Sequence, residues 1–128
     1  MIEAPATHTV AIIGASTNRS KFGNKALRAF RRRGYTVIPI HPRAAVVEGE
    51  RAYASVLDYP GHIDEASVYV PPDVAVTVMP DIASKGIQVV WLNPGADAPE
   101  VVASARDLGI TPRVACSILG IGESPGNY

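Results

Sequence analysis

Cysteine is almost missing from this sequence, and neither sign of charge is in excess. The 128 residues contain one cysteine, Cys116, so no disulfide can form within the chain, which favours a reducing compartment. The 12 Lys and Arg equal the 12 Asp and Glu, which argues against the basic surface common in nucleic-acid binders. No apolar run approaches the ~20 residues of a membrane span, and residues 1–7 lack the basic start of a secretion signal. We therefore expect one cytoplasmic domain with no nucleic-acid or membrane partner.

Residue patterns that carry catalysis or hold metals are also scarce. The three histidines, His8, His41 and His62, lie far apart, and no His, Cys or carboxylate spacing typical of a metal site is present. No histidine has a nucleophile and a carboxylate at the spacing of a known catalytic motif. The sequence thus predicts no catalytic residue and no metal ligand, and it favours a binding module over an enzyme.

The most informative feature that is present is a buried strand running into a glycine-rich loop. Val10 to Ile13 is apolar throughout, and residues 14–23 follow it, before a helical pattern that begins near Asn24. A glycine at the end of a strand lets backbone approach a ligand closely, and the N–H groups that start the next helix favour a phosphate. The spacing matches neither the dinucleotide fingerprint nor the P-loop. The loop therefore predicts a phosphate-bearing ligand, with a nucleotide favoured.

Strands and helices alternate along the rest of the chain. The predicted strands are 10–13, 35–40, 66–70, 88–92 and 113–116, and the predicted helices are 25–33, 74–84 and 98–108. The polar stretch 43–64 contains a short helix near 55–59, and Pro80 is expected to kink the second long helix or delay its start. The alternation predicts an α/β fold. It is a single Rossmann-like domain, with its core at about residues 8–118, a mainly parallel five-stranded sheet and helices on both faces.

Four loops are expected at one edge of this sheet, because parallel strands all end there. Ligands of such sheets bind at that edge, where the strand order reverses. The loop after the second strand discriminates best among nucleotides. NAD sites usually carry a carboxylate there, whereas Arg43 suits a ribose that bears a phosphate. NAD is therefore disfavoured, and NADP and coenzyme A both remain open.

Four segments carry a resemblance to a known family. They are Val-Ala-Ile-Ile-Gly-Ala-Ser from residue 10, residues 34–43, the Gly49 to Leu57 stretch with its Ala-Tyr and Ser-Val-Leu, and Trp-Leu-Asn-Pro-Gly from residue 91. Together they resemble the small CoA-binding proteins and the related CoA-binding domain of the succinyl-CoA synthetase α subunit. His41 replaces the family's usual Asn, and Val70-Pro71-Pro72 is closer to the synthetase than to the Phe-Arg-Arg-Pro of the small relatives. The Glu-His pair that follows the cysteine in those relatives is missing after Cys116.

The resemblance implies a site for coenzyme A or an acyl-CoA, and it also suggests a homodimer. Donors to the pyrophosphate would come from Gly14, Ala15, Ser16 and Thr17. Lys21 and Arg43 would neutralise phosphates, with Arg43 at the 3′-phosphate. The adenine would pack against Val70, Pro71 and Pro72, and either it or the pantetheine would be bordered by Leu92, Asn93 and Pro94. Two alternatives stay open: an NADP-dependent oxidoreductase, and a regulatory or interaction subunit that has lost its ligand.

Overall fold

The computed structural model describes residues 8–128, so the expectation about a secretion signal in residues 1–7 lies outside it. In these residues the strands are β1 (Thr9–Ile13), β2 (Thr36–Ile40), β3 (Val46–Val47), β4 (Glu50–Arg51), β5 (Glu65–Val68), β6 (Val89–Leu92) and β7 (Thr111–Val114). Five of them form one parallel sheet in the order β2-β1-β5-β6-β7. The chain thus leaves β1 toward one side of the sheet and returns on the other side, beside β1.

Helices cover both faces of the sheet, as the sequence predicts. They are α1 (Phe22–Arg32), α2 (Pro72–Ser84), α3 (Pro99–Asp107) and the short α4 (Ser117–Gly120). Side chains of β1 alternate between the two faces. Val10 and Ile12 pack in one buried cluster with Leu27 of α1, whereas Ala11 and Ile13 pack in the other with residues of α2 and α3. The predicted α/β fold with a parallel five-stranded sheet is therefore confirmed.

Several element boundaries differ from the prediction, and two of the differences lie at the site. Helix α1 begins at Phe22, before the apolar periodicity starts, and β5 ends at Val68 rather than at residue 70. Strand β7 covers Thr111–Val114 instead of 113–116, because its pairing with β6 starts directly after the turn at Gly109. Its Pro112 is tolerated because β7 lies at the edge of the sheet.

The second long helix does not start late. Helix α2 begins at Pro72, two residues before the prediction, because proline fits the first turn of a helix. It continues through Pro80 to Ser84. Within residues 8–128, no helix has both the length and the apolar character needed to cross a bilayer.

The stretch 43–64 contains more structure than its sequence indicates. Strands β3 and β4 form an antiparallel hairpin that the prediction missed. The short helix predicted near 55–59 is confirmed as a 3₁₀ turn, Val56–Asp58, with Ser55 and Asp58 forming a reciprocal cap. The hairpin packs beside the carboxyl end of β2, next to the loop that follows β1.

Candidate functional site

A cleft of about 320 Å³ opens where the strand order reverses, between the carboxyl ends of β1 and β5. This is the place where open α/β sheets bind ligands. Three chain segments line it: the loop after β1 with the start of α1, the exit from β5, and the loop after β6. The lining residues are Gly14, Lys21, Phe22, Gly23, Tyr69, Val70, Pro71, Pro94 and Gly95.

Any other residue at position 14 would strain the local structure. The φ of Gly14 is +89°, and a Cβ at this position would lie 3.0 Å from Val70 Cγ1 and 3.1 Å from the carbonyl carbon of Tyr69. A Cβ on Gly23 would lie 2.2 Å from the Gly14 carbonyl oxygen. The two glycines therefore let the end of β1, the exit of β5 and the start of α1 pack against one another at the cleft.

The backbone of the loop after β1 is held by hydrogen bonds to the end of β2 and by bonds within the loop itself. The N–H groups of Gly14 and Ala15 both donate to Ile40 O, at 3.3 and 3.2 Å. Ser16 Oγ accepts from the Asn18 N–H at 3.0 Å, and Asn18 Oδ1 accepts from the Ser20 N–H at 3.0 Å. Two of the backbone donors expected for a pyrophosphate, those of Gly14 and Ala15, are thus engaged within the protein.

Other N–H groups near the cleft have no partner among the described residues. Those of Thr17, Phe22 and Gly23 make no hydrogen bond within residues 8–128. Lys21, the N-cap of α1, gives no side-chain capping bond, and the first turn of α1 holds no acidic side chain. Of these residues Phe22 and Gly23 line the cleft together with Lys21, whereas Thr17 lies on the exposed loop outside the lining residues. The free N–H groups of Phe22 and Gly23, the positive end of the helix dipole and the cationic Lys21 side chain favour an anion there.

The far wall of the cleft rests on a buried network of polar side chains. Asn93 donates through Nδ2 to Ser67 Oγ and to Val68 O, both at 2.9 Å, and its Oδ1 accepts from the Ser117 N–H at 2.8 Å. Ser117 Oγ is hydrogen-bonded to the Tyr69 hydroxyl at 2.7 Å. Burial raises the pKa of Tyr69 to about 12, so this phenol stays neutral at physiological pH. The Asn93 side chain, which was predicted to border the ligand, is thus held in the wall of the cleft by three hydrogen bonds within the protein.

A smaller cavity of about 80 Å³ adjoins the cleft and shares three of its lining residues. Phe22, Tyr69 and Pro94 line both spaces, while Asn93 and Cys116 line only the smaller one. The ring of Phe22, at the first position of α1, is 55% exposed at this junction. An exposed aromatic ring between two openings offers apolar contact area to a bound molecule.

Arg43 lies outside the residues that line the cleft, on the exposed turn after β2. His41 holds this turn, because its Nδ1 accepts from the N–H groups of Arg43 and Ala44 at 3.0 and 2.8 Å. These bonds require the imidazole proton to be on Nε2, and His41 thereby does the work of a turn-forming asparagine. The turn follows β2 and therefore lies at the carboxyl ends of the strands, as the cleft does.

The structure brings together only some of the predicted site residues. Gly14, Lys21, Val70, Pro71 and Pro94 line the cleft. Ala15 and Leu92 are buried in the two apolar clusters, and Pro72 forms the first turn of α2. The sequence reasoning missed Phe22, Gly23, Tyr69 and Gly95. Phe22, Tyr69 and Gly95 each adjoin a predicted site residue, and Gly23 ends the glycine-rich loop that the sequence analysis singled out. The available signal was their position in the loops that follow β1, β5 and β6. Among residues 8–128, no group of His, Cys, Asp and Glu is arranged to hold a metal ion.

The chain is similar to known proteins in sequence and in fold. Residues 8–120 match the family described as CoA binding domain. Over 82 residues, 62% of this chain, the sequence is 33% identical to acetate–CoA ligase (ADP-forming) II of Archaeoglobus fulgidus. It is 32% identical over 80 residues to the α subunit of acetate–CoA ligase (ADP-forming) II of Pyrococcus furiosus. The matches span only 12% of the first protein and 18% of the second.

A solved structure shares the fold over most of both chains. A conserved hypothetical protein from Pyrococcus furiosus superposes with a TM-score of 0.81 at 29% identity. The superposition covers 88% of this chain and 98% of that one. Since the family match spans nearly all the described residues and the fold agrees, this chain belongs to the CoA-binding domain family.

Proposed function

We propose that this chain is a cytoplasmic binding module for coenzyme A or an acyl-CoA, with the pyrophosphate held at the start of α1. The observation that carries the proposal is the uncapped N-terminus of α1 beside Lys21, facing a cleft at the β1–β5 switch point. Family membership supports the choice of coenzyme A among phosphate-bearing ligands.

Residues in the cleft and on the loops beside it offer chemistry that matches each part of the ligand. The pyrophosphate suits the N–H groups of Thr17, Phe22 and Gly23 together with Lys21. Apolar parts of the ligand pack against Phe22 and against the Val70 and Pro71 wall. Arg43, at the end of the edge strand, suits the 3′-phosphate, because its guanidinium has no hydrogen-bond partner among the described residues and reaches into solvent.

The residues of the cleft support binding rather than chemistry. Tyr69 is neutral at physiological pH, and the Asn93 side chain is committed to three hydrogen bonds. The cleft-lining residues include one cation, Lys21, and no carboxylate or histidine. General acid–base catalysis needs a group that titrates near the working pH, and these residues offer none.

Calorimetric titration with CoA, NADPH and NADH tests the proposal. We expect CoA to bind most tightly, because the turn after β2 presents Arg43 and no carboxylate to a ribose. Affinity for NADPH with none for CoA would overturn the proposal and support an oxidoreductase instead.

A further inference from the structure

Glu48 stands in a backbone conformation that its side chain disfavours. Among residues 8–128 it is the only non-glycine residue with a positive φ, at +50°. It is followed by Gly49 at φ +79°, and the two form the loop of the β3–β4 hairpin. Positive φ at both loop residues defines a type I′ turn, in which Asn, Asp or Gly normally occupies the first position. A glutamate that persists there invites a functional explanation.

The Glu48 side chain ties the hairpin to the loop after β1 and to α1. Its carboxylate is largely shielded, at 14% exposure. Oε2 accepts from Asn24 Nδ2 at 3.1 Å, and Oε1 lies 3.3 Å from Nη1 of Arg19. Its backbone carbonyl accepts from Arg31 Nη1 at 2.7 Å. A single residue of the hairpin thus contacts both segments that shape the phosphate side of the cleft.

Asn24 transmits this contact to the backbone of the loop. It is fully buried, and its Nδ2 donates to Ser16 O at 2.8 Å as well as to Glu48. Its Oδ1 accepts from Arg28 Nε at 2.7 Å. Since a guanidinium can only donate, the oxygen of the amide must face Arg28, which leaves both amide protons for Ser16 and Glu48. Arg28 thus sets which way the amide faces, and Glu48 accepts its second proton, so the two side chains together hold the group that binds the Ser16 carbonyl.

The Ser16 carbonyl in turn sets the direction of the next N–H group. In a trans peptide the C=O and the following N–H point in opposite directions. Because Ser16 O is drawn toward the buried Asn24, the Thr17 N–H points away from the interior, and it has no partner among the described residues. If this peptide turned over, a carbonyl oxygen would replace the donor and would repel a phosphate.

We propose that Glu48 is a positioning residue for the pyrophosphate of coenzyme A. Through Asn24 it holds the Ser16–Thr17 peptide in the orientation that offers the Thr17 N–H to the ligand. The preorganised donor spares the ligand the cost of ordering this loop. The proposal rests on the proposed function only for the identity of the ligand, since the hydrogen bonds belong to the protein itself.

Two substitutions at position 48 separate positioning from plain stability. Glu48→Asn suits the left-handed turn better but is one methylene too short to reach Asn24, whereas Glu48→Gln keeps the length and a carbonyl acceptor. We expect Glu48→Asn to lower CoA affinity about 10-fold while the melting temperature shifts by less than about 5 °C. Glu48→Gln should stay within about 3-fold of the wild type, because an ion pair with a largely exposed Arg19 contributes little.

Glu50→Gln is the matched control. Glu50 lies in the same hairpin and pairs with Arg31 at 2.9 Å, but it makes no hydrogen bond or ion pair with the loop after β1. This variant should bind CoA as the wild type does. Equal affinities of Glu48→Asn and Glu50→Gln would overturn the proposal, as would a loss for Glu48→Asn that Glu48→Gln does not restore.

Hydrogen exchange of the ligand-free proteins distinguishes this proposal from the proposed function. Amides of residues 16–23 should exchange faster in Glu48→Asn than in the wild type, and at wild-type rates in Glu50→Gln. If the wild type fails to bind CoA while this exchange pattern holds, the proposed ligand is wrong, but the proposal that Glu48 orders the loop after β1 is supported. Unchanged exchange in Glu48→Asn would refute the proposal that Glu48 orders this loop, whatever the ligand is.

Discussion

Two features of the structure require glycine at position 14, a positive φ and close packing against Val70 and Tyr69, and the sequence indicated only the close packing. A glycine at the end of a strand predicts close approach of another group, and the structure adds a positive φ and the Val70 side chain, whose Cγ1 would lie 3.0 Å from a Cβ on Gly14. Gly34, after α1, has nearly the same φ, +92°, yet a Cβ there would meet nothing within 4 Å. The two glycines separate the effect of conformation from the effect of crowding at the cleft.

Substitution by alanine at each position measures that difference. Gly34→Ala should cost about 1 kcal/mol of unfolding free energy for its left-handed conformation and leave CoA binding intact. Gly14→Ala should cost about 1–2 kcal/mol more, because Val70 and Tyr69 must shift, and it should also weaken CoA binding. Denaturant titration and calorimetry give both quantities. Equal CoA affinities of the two variants would place the ligand away from this loop.

Arg43 can be tested against a ligand that lacks the group it is proposed to bind. If its guanidinium contacts the 3′-phosphate, Arg43→Ala should weaken CoA binding about 10-fold, the low end for a charge-assisted contact at an exposed site. Dephospho-CoA should bind the wild type weakly and lose little more on mutation. The two losses should therefore not add, as for groups in direct contact. Equal losses for both ligands would show that Arg43 acts elsewhere.

At the scale of elements, the strands and helices with a clear apolar pattern were predicted from the sequence, and the features without such a pattern were missed. The five parallel strands and three long helices follow from buried runs and helical spacing. Phe22 and Gly23 fall outside the apolar stripe of α1, so its true start, and with it the free N–H groups at the cleft, escaped the prediction. The β3–β4 hairpin was missed because its two-residue strands are too short to show alternation, and its Glu-Gly turn is an unusual type I′ pair.

The polar wall of the cleft was also beyond local sequence patterns. Ser67, Tyr69, Asn93 and Ser117 come from three distant segments, and only the fold brings them within hydrogen-bond distance. Asn93 was correctly placed at a strand end. Its role in holding the loop after β6 to α4 depends on a partner 24 residues away.

At the scale of the whole molecule, distant segments of the chain hold the helix that borders the cleft. The segment after β7 packs against α1, with Ile118 and Ile121 in the same buried cluster as Leu27 and Phe30. Arg33, at the end of α1, donates to Glu123 at 2.5 Å and to Gly122 O at 2.7 Å. Both ends of α1 are thus fixed by other segments, and a ligand at its N-terminus should bind without large backbone rearrangement.

Hydrogen exchange of the wild-type protein with and without CoA tests most directly whether CoA occupies the switch-point cleft. Amides of residues 16–23, together with the segments at 69–70 and 95, should exchange more slowly when CoA is bound, most clearly at Thr17, Phe22 and Gly23. The exchange rates of loops at the amino ends of the strands, near residues 61–64 and 86–88, should not change. Protection confined to those loops, or CoA binding that leaves residues 16–23 unaffected, would contradict the account.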